Sequence, residues 1–300
     1  MKILKELSRQ EFKNRFKNKQ DCYDLFAELK WSDGYACKRC NAAVYIKGKQ
    51  PASRRCSKCG YDESATTGTL FHKLKFGIDK AFEMLYEIVT AKKGANSIWL
   101  AERFGINQKT AWLFRQKVQV AMESSEQFPL EDEVHVDEFE IGAPELGKPG
   151  RSKSDEKVRI VIAFEHRDGK SGRGYAKVIQ DYSAESLRPI FEVHIKKDAK
   201  VLADGWKGYK PLKEDYPDMK QILSDKGKNF KMLHIQIRNF KNWLRGVHSW
   251  CNREYVQKYI NEYFFRYNRR NHRTSILDKI IERCVLHEPL TLKQVRILAA

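Results

Sequence analysis

The sequence predicts an α/β domain with a mixed β-sheet, preceded by a small zinc ribbon and a helix-turn-helix. Strand-like segments at 133–142, 157–165 and 174–180 are followed by alternating helical and strand-like segments, a pattern typical of an α/β layer. Two close cysteine pairs lie upstream of these segments. Residues 96–122 have the spacing of two helices around a short glycine turn, which predicts a helix-turn-helix.

Composition and charge narrow the class of protein. The chain has 300 residues, 41% of them hydrophobic and 12% aromatic, which suits two or three globular domains rather than a disordered chain. Its formal net charge is +18, and the basic residues are spread through both halves. Such a charge favours DNA or RNA as the partner over a basic protein with no polyanionic partner. An anionic membrane surface is disfavoured because no helix has an all-apolar face.

The first residues, Met1-Lys-Ile-Leu-Lys-Glu-Leu7, lack the apolar stretch of a signal peptide. No window of the sequence approaches the length and hydrophobicity of a membrane span. We therefore expect a cytoplasmic, nucleoid-associated protein with no membrane partner.

Four of the seven cysteines predict a zinc ribbon. They form two Cys-x2-Cys pairs separated by fifteen residues, namely Cys37, Cys40, Cys56 and Cys59. This is the spacing of a structural site with four thiolate ligands in a reducing compartment. The alternative, four buried free thiols, conflicts with the polar residues inside both pairs.

Residues 96–122 predict DNA binding. Ser97 can cap a first helix, Gly105-Ile-Asn107 turns the chain, and Gln108 opens a second helix. We expect four side chains of the second helix to be exposed and suited to phosphate and base-edge contacts: Gln108, Lys109, Arg115 and Gln116. The alternative is an ordinary helical hairpin in a core.

Two aspartates are candidates for metal binding. Asp137 lies within a strand-like stretch, where period-two alternation places Glu138 on the opposite face, and Asp204 ends a short apolar run. A carboxylate in such a place is costly to bury unless it is paired or holds a cation. Two Mg²⁺ or Mn²⁺ ions about 4 Å apart, held by two or three acidic side chains, would suit chemistry on phosphodiesters. For either residue alone, a turn residue or helix cap is the alternative.

Several motifs, taken in order, resemble those of a known family. They are Trp31-Ser-Asp-Gly34, Thr67-Gly-Thr69, Lys109-Thr-Ala-Trp112, Val136-Asp-Glu138, Ala203-Asp-Gly-Trp206, Asn239-Phe-Lys-Asn-Trp-Leu-Arg-Gly246 and Tyr259-Ile-Asn-Glu-Tyr-Phe-Phe-Arg-Tyr-Asn-Arg-Arg270. The chain resembles the zinc-ribbon branch of bacterial insertion-sequence transposases over roughly residues 10 to 285. Those proteins have a DDE-type catalytic domain of ribonuclease H-like fold and ISXO2-like type.

The resemblance implies metal-dependent cleavage at transposon ends by water, followed by attack of the freed 3′-hydroxyls on target DNA. Asp137 and Asp204 match the first two acidic positions, and Asn239 matches the third. An amide oxygen there can bind a metal ion but carries no charge and cannot act as a base. Lys241 is expected near the scissile phosphate. Glu262 is the rival third ligand, although an ion pair within its own basic helix is the favoured alternative.

The resemblance also implies contacts to DNA and at least a homodimer in the synaptic complex of two transposon ends. The expected DNA contacts in the catalytic half are Arg245, Arg266, Arg269 and Arg270. For the last three arginines, a solvated charged face is an equally good interpretation. Two other functions stay open: a non-catalytic DNA-binding regulator, which needs no carboxylates in these strands, and a stand-alone metal-dependent nuclease.

The expected organisation has five segments. In order they are an N-terminal helical segment at 1–30, the zinc ribbon at 31–72, the helix-turn-helix domain at 73–128, the ribonuclease H-like catalytic domain at 129–285 and a tail at 286–300.

Overall fold

A computed structural model describes residues 8–142, 157–167, 169–248, 251–272 and 275–297 of the chain. The α-helices are α1 (Arg9–Arg15), α2 (Lys19–Lys30), α3 (Ile78–Thr90), α4 (Ser97–Phe104), α5 (Gln108–Ala121), α6 (Ala184–His194), α7 (Lys231–Val247), α8 (Val256–Tyr267), α9 (Ile276–Leu286) and α10 (Leu292–Ile297). The strands are β1 (Tyr45–Lys47), β2 (Arg54–Cys56), β3 (Asp62–Glu63), β4 (Glu133–Ile141), β5 (Val158–Arg167), β6 (Lys170–Ile179), β7 (Lys200–Ala203) and β8 (Lys220–Gln221). Short 3-10 helices span Lys207–Glu214, Asp225–Phe230 and Arg253–Tyr255.

The chain divides into two compact units. The first, here called the helical unit, consists of the described parts of Met1–Met122 and Asn271–Leu298. The second, here called the sheet unit, consists of the described parts of Glu123–Arg270.

The helical unit includes the carboxyl-terminal helices. α9 packs against α2, α3 and α5, and α10 packs against α5. The Leu70 N–H donates to the Cys284 carbonyl at 3.0 Å, and Arg15 pairs with Asp278 at 2.5 Å. The sequence instead assigned residues up to 285 to the catalytic domain and the rest to a tail. The difference arises because α9 and α10 bury their apolar faces against helices that are distant in sequence.

The zinc ribbon segment forms a three-stranded antiparallel sheet in the order β1-β2-β3. Downstream, α4 and α5 form the predicted helix-turn-helix layout around Gly105, which has a left-handed φ of 58° and ends α4. The first cap differs from the prediction. Asn96 caps α4 by accepting from the Trp99 N–H at 2.8 Å, whereas the Ser97 hydroxyl accepts from the Gln108 side chain at 3.0 Å.

The exposure expected for two residues of α5 is wrong. Arg115 is 3% exposed and Gln116 is 0% exposed. α5 contacts α4 but also α9 and α10, so it is covered on more than one side. Gln108 and Lys109, at the start of α5, are exposed as predicted.

The sheet unit has a five-stranded mixed sheet in the order β6-β5-β4-β7-β8. β4, β5 and β6 are antiparallel, whereas β7 runs parallel to β4 and to β8. This confirms the α/β, ribonuclease H-like fold class.

Helices cover both faces of this sheet. On one face, Val134 and Val136 join a buried core with Leu187, Ile190 and Phe191 of α6. On the other face, Phe139 of β4 contacts Phe240 of α7 at 5.9 Å between ring centroids. Because side chains alternate along a strand, Asp137 shares the α7 face with Phe139. α7 begins at Lys231, seven residues before the Arg238 start that the sequence predicted.

Candidate metal centres and nucleic-acid contacts

The ribbon brings its four predicted cysteines together. The Sγ atoms of Cys37 and Cys59 are 3.6 Å apart, and those of Cys40 and Cys56 are 3.5 Å apart. Zinc–sulfur bonds of about 2.3 Å place the sulfurs of a tetrahedral site about 3.8 Å apart. The cluster is therefore the right size for one zinc ion and fits a zinc ribbon.

Backbone amides favour the thiolate form of Cys37. The Arg39 N–H donates to Cys37 Sγ at 3.4 Å. Burial raises the pKa of Cys37, but the N–H groups of Arg39 and Cys40, together with the neighbouring thiols, lower it to about 6. A zinc ion binds thiolates rather than thiols, so this environment suits a metal ligand.

A second cluster lies where β4 and β7 run side by side. Val136 is paired with Ala203 in the parallel ladder, so Asp137 and Asp204 occupy the next position on each strand. One carboxylate oxygen from each of Asp137, Glu138 and Asp204 lies within 4.8 Å of the others. We call these three residues the acidic cluster. The sequence anticipated the convergence of the two aspartates.

Asp204 is held by the turn that follows β7. Its carboxylate accepts from the Trp206 N–H at 2.9 Å, and the Gln221 side chain donates to the Asp204 carbonyl at 3.0 Å. The Trp206 indole donates to the Tyr182 carbonyl at 2.8 Å. These bonds fix the orientation of Asp204, which combines the role of a turn residue with a place in the cluster.

Glu138 was expected on the opposite face of β4, away from the two aspartates. The structure nevertheless brings one of its oxygens to them, because Asp204 lies at the end of the shorter strand β7. Tyr209, which is fully buried, lies against Glu138. Burial and the neighbouring Glu138 carboxylate raise the pKa of Tyr209. A neutral tyrosine therefore stands beside this carboxylate.

His234 is the residue near the acidic cluster that the sequence interpretation missed. It lies in the first turns of α7, and its Nε2 is 3.6 Å from Asp137 Oδ2. Burial lowers the pKa of His234, which favours the neutral imidazole that can bind a metal ion. The sequence does contain a signal that could have identified His234. It precedes Lys241 by two helical turns, so the two side chains share a face of one helix.

Asn239 lies elsewhere on the same helix. It follows His234 by five positions, which places it about 140° around the helix axis at about 100° per residue. Its side chain is exposed. Lys241, by contrast, lies on the His234 side, with its ammonium 5.2 Å from the centre of the Phe139 ring. Burial lowers the pKa of Lys241, with Arg245 adding to the effect.

The chemistry of the acidic cluster fits divalent metal ions. Like charges within 4.8 Å of one another repel unless a cation or a proton lies between them. Carboxylate oxygens are ligands that Mg²⁺ and Mn²⁺ accept, and an imidazole nitrogen is a good ligand for softer divalent ions. Asp137 and Asp204, with Glu138 and His234 beside them, are the residues that could hold such ions.

Comparison with known proteins agrees with this site. Residues 129–268 match the family model of the ISXO2-like transposase domain. The chain therefore carries an insertion-sequence transposase domain of this type. An uncharacterized protein in the transposable element ISH50 of Halobacterium salinarum is 23% identical to the transposase over 219 residues, covering 67% of this chain and 72% of that protein. The segment that matches the family model, residues 129–268, contains the acidic cluster and His234.

Glu262 of the transposase is fully buried in α8, where it forms an i,i+4 ion pair with Arg266 at 3.9 Å. Among the described residues, it belongs to no group of potential metal ligands. The structure therefore matches the favoured alternative for Glu262.

Two of the arginines expected to contact DNA have partners inside the sheet unit. Arg270 donates to the carbonyls of Ser171 and Gly172 at 2.5 and 3.1 Å. Arg269 donates to the Phe265 carbonyl at 3.0 Å and stacks on that ring. The Arg270 contacts join the segment after α8 to β6. Arg245 is exposed on α7.

A third group of potential ligands lies further along the α7 face of β4. The Glu133 carboxylate is 2.8 Å from His135 Nε2 and 2.9 Å from His166 Nδ1. The two imidazoles stack at 4.8 Å. Both contacts meet the same oxygen of Glu133, which is the geometry of a carboxylate accepting two hydrogen bonds.

No described helix of the transposase is long and apolar enough to cross a membrane.

Proposed function

We propose that this transposase binds the terminal repeats of its element, cleaves DNA strands at the element's ends and joins them to target DNA. The observation that carries the proposal is the convergence of Asp137 and Asp204 on neighbouring parallel strands, with His234 3.6 Å from Asp137. A DNA-binding regulator would have no need of this arrangement. The net charge of +18 supports DNA as the partner.

In this proposal, Asp137 and Asp204 hold the divalent ions, and the bonds around Asp204 keep its carboxylate in place before DNA arrives. When bound, two such ions supply activation of the attacking oxygen and stabilisation of the leaving oxygen. Lys241 lies on the same side of α7 as His234 and supplies a positive charge for a DNA phosphate. Its partial burial beside Phe139 strengthens that interaction.

We assign the third position of the site to His234 rather than to Asn239. Helix geometry and the distance from His234 to Asp137 both support this assignment. An imidazole adds no negative charge, so it leaves the site less acidic than a third carboxylate would. Glu138 remains a further ligand candidate in the same cluster.

Recognition of the terminal repeats is proposed for the ribbon and the helix-turn-helix. Gln108 and Lys109 are exposed at the amino end of α5 and are the candidates for DNA contact there. Arg115 and Gln116 are buried, so we do not propose them for DNA contact. Assembly of a homodimer or larger complex on two ends is part of the proposal, because joining both ends to one target requires two active sites.

The test is cleavage of a duplex that carries the element's own end, in Mg²⁺ and separately in Mn²⁺. Wild type is compared with Asp204→Ala, and products are followed for cutting and for joining to a second duplex. We expect wild type to cut and join, and the variant to bind without cutting. Binding by wild type with no cutting would support the regulator, and cutting with no joining would support the nuclease.

A further inference from the structure

A groove lies along the first two turns of α7, next to the acidic cluster. It has a volume of about 430 Å³ and is lined by Gly227, Lys231, His234, Ile235 and Arg238. Three of these five residues carry or can carry positive charge. His234 connects the groove to the acidic cluster, because its Nε2 atom lies 3.6 Å from Asp137 Oδ2.

Two cations line the groove. Lys231 and Arg238 are exposed, and among the residues that the structure describes neither forms an ion pair. They are seven positions apart, so they share one face of α7 about 10 Å apart along the axis. His234 lies between them. Unpaired cations in a concave site favour a polyanion over a single small anion.

The rest of the groove wall comes from the 3-10 helix Asp225–Phe230, which directly precedes α7. Gly227 has a φ of +87°, and a Cβ at this position would lie 3.1 Å from His234 Cδ2 and 3.2 Å from its Nε2. The Gly227 N–H donates to the Ser224 carbonyl at 2.9 Å and to its hydroxyl at 3.1 Å. The backbone of this 3-10 helix therefore packs directly on the His234 ring.

We propose that this groove binds the backbone of the cleaved DNA strand beside the scissile phosphate, with Lys231 and Arg238 each contacting one phosphate. The inference rests on the proposed function and adds the strand-binding residues to it. A span of about 10 Å corresponds to about three base-pair steps of a duplex, because each strand carries one phosphate per about 3.4 Å of helix axis. The scissile phosphate then lies at the acidic cluster, and the groove sets the register of the strand.

The first test is the salt dependence of DNA binding. The double variant Lys231→Ala, Arg238→Ala is compared with a matched control, Lys210→Ala, Lys213→Ala. The control also removes two exposed lysines, but from the 3-10 helix that packs with α6 on the other face of the sheet. The probe is a duplex carrying the element's end, with Ca²⁺ in place of Mg²⁺ so that no strand is cut.

We expect the slope of log affinity against log salt concentration to become shallower by about 0.9 for each lost phosphate contact, about 2 in total for the groove variant. The control slope should stay near that of wild type. A groove variant with the slope of the control would overturn the proposal.

The second test locates the contacts on the strand. Single phosphates of the cut strand are replaced by neutral methylphosphonates, one position at a time. Wild type should lose affinity at one or two positions within about three nucleotides of the scissile phosphate. The groove variant should show no further loss at those positions, because the contact is already absent. The same interference pattern in both proteins would contradict the inference.

These binding tests separate the two proposals. If wild type never cuts DNA, the proposed function fails, while slope and interference still decide whether the groove binds a strand. If wild type cuts DNA and the groove variant shows neither change, only the groove inference fails.

Discussion

The two clusters of potential metal ligands in this transposase are built in opposite ways. The four cysteines of the ribbon lie within residues 37–59, on two short loops of one small sheet. The acidic cluster draws Asp137 from β4 and Asp204 from the end of β7, and α7 adds His234. The first site is fixed by local spacing. The second exists only after the five-stranded sheet and α7 have assembled.

The clusters also differ in exposure and in donor chemistry. Cys37 and Cys56 are 2% and 1% exposed and Cys40 and Cys59 are half-buried, which fits a structural site with four thiolate ligands. The side chains of Asp137 and His234 are 15% and 42% exposed, and an open site of this kind leaves room for substrate. This contrast fits the proposal that the ribbon serves stability and the acidic cluster serves catalysis.

The largest expected effect is loss of the ribbon. In Cys56→Ser, zinc binding should collapse, because structural zinc contributes on the order of 10 kcal/mol to the folding of such small domains. Metal analysis of purified protein should show loss of the zinc that wild type retains. Asp137→Asn is the control and should keep its zinc. Zinc retained in full by Cys56→Ser would show that the four thiols are not the ligands.

The next effect concerns the acidic cluster. Asp137→Asn should lower the rate of DNA cleavage by about 10³-fold or more, because a metal ligand on the reacting centre is lost. Its thermal stability should be equal to or above that of wild type, since one of three repelling carboxylates is neutralised. Rates and melting temperatures measured together check this. Cleavage at the wild-type rate would mean that the site lies elsewhere.

The preference of DNA cleavage for Mn²⁺ or Mg²⁺ tests whether His234 supplies a nitrogen ligand beside the oxygen ligands of the acidic cluster. His234→Glu supplies an oxygen ligand in place of imidazole, and Mg²⁺ favours oxygen. The ratio of cleavage in Mn²⁺ to cleavage in Mg²⁺ should therefore fall by roughly tenfold. An unchanged ratio would indicate that His234 does not touch the ions.

A smaller effect is expected at Gly227, which contacts the His234 ring. Gly227→Ala adds a methyl group 3.1 Å from the imidazole and strains a left-handed φ. Displacement of His234 should slow cleavage by roughly tenfold, with zinc content unchanged. Gly246→Ala is the matched control on α7, because a Cβ there meets nothing within 4 Å. Equal cleavage rates for the two variants would show that Gly227 does not support catalysis.

The same contrast explains how much of the molecule could be predicted from its sequence. The ribbon ligands follow from Cys-x2-Cys spacing alone. The sheet and the meeting of Asp137 with Asp204 follow from strand patterns, because carboxylates at the same level of adjacent parallel strands converge. Alternation along β4 placed Glu138 on the opposite face, where it lies against Tyr209, but it did not show that β7 ends where one Glu138 oxygen can come near the two aspartates.

Other parts depended on long-range packing. The true start of α7, at Lys231, moves His234 onto the helix and onto the face of Lys241. If α7 started at Arg238, as the sequence predicted, His234 would lie outside the helix, and Asn239 would be the helix's candidate for the third metal ligand. Arg115 and Gln116 were expected to be exposed because α5 looks amphipathic alone, whereas α9 and α10 arrive from more than 150 residues away to pack against it.

The most direct test of the account is the comparison of His234→Ala with Asn239→Ala. Both variants change one side chain of the same helix, and both are assayed for cleavage of the element's end in Mn²⁺, with DNA binding measured in parallel. The account predicts that His234→Ala loses cleavage while keeping DNA affinity, and that Asn239→Ala cuts at a rate close to that of wild type. Loss of cleavage in Asn239→Ala, with His234→Ala still active, would contradict it.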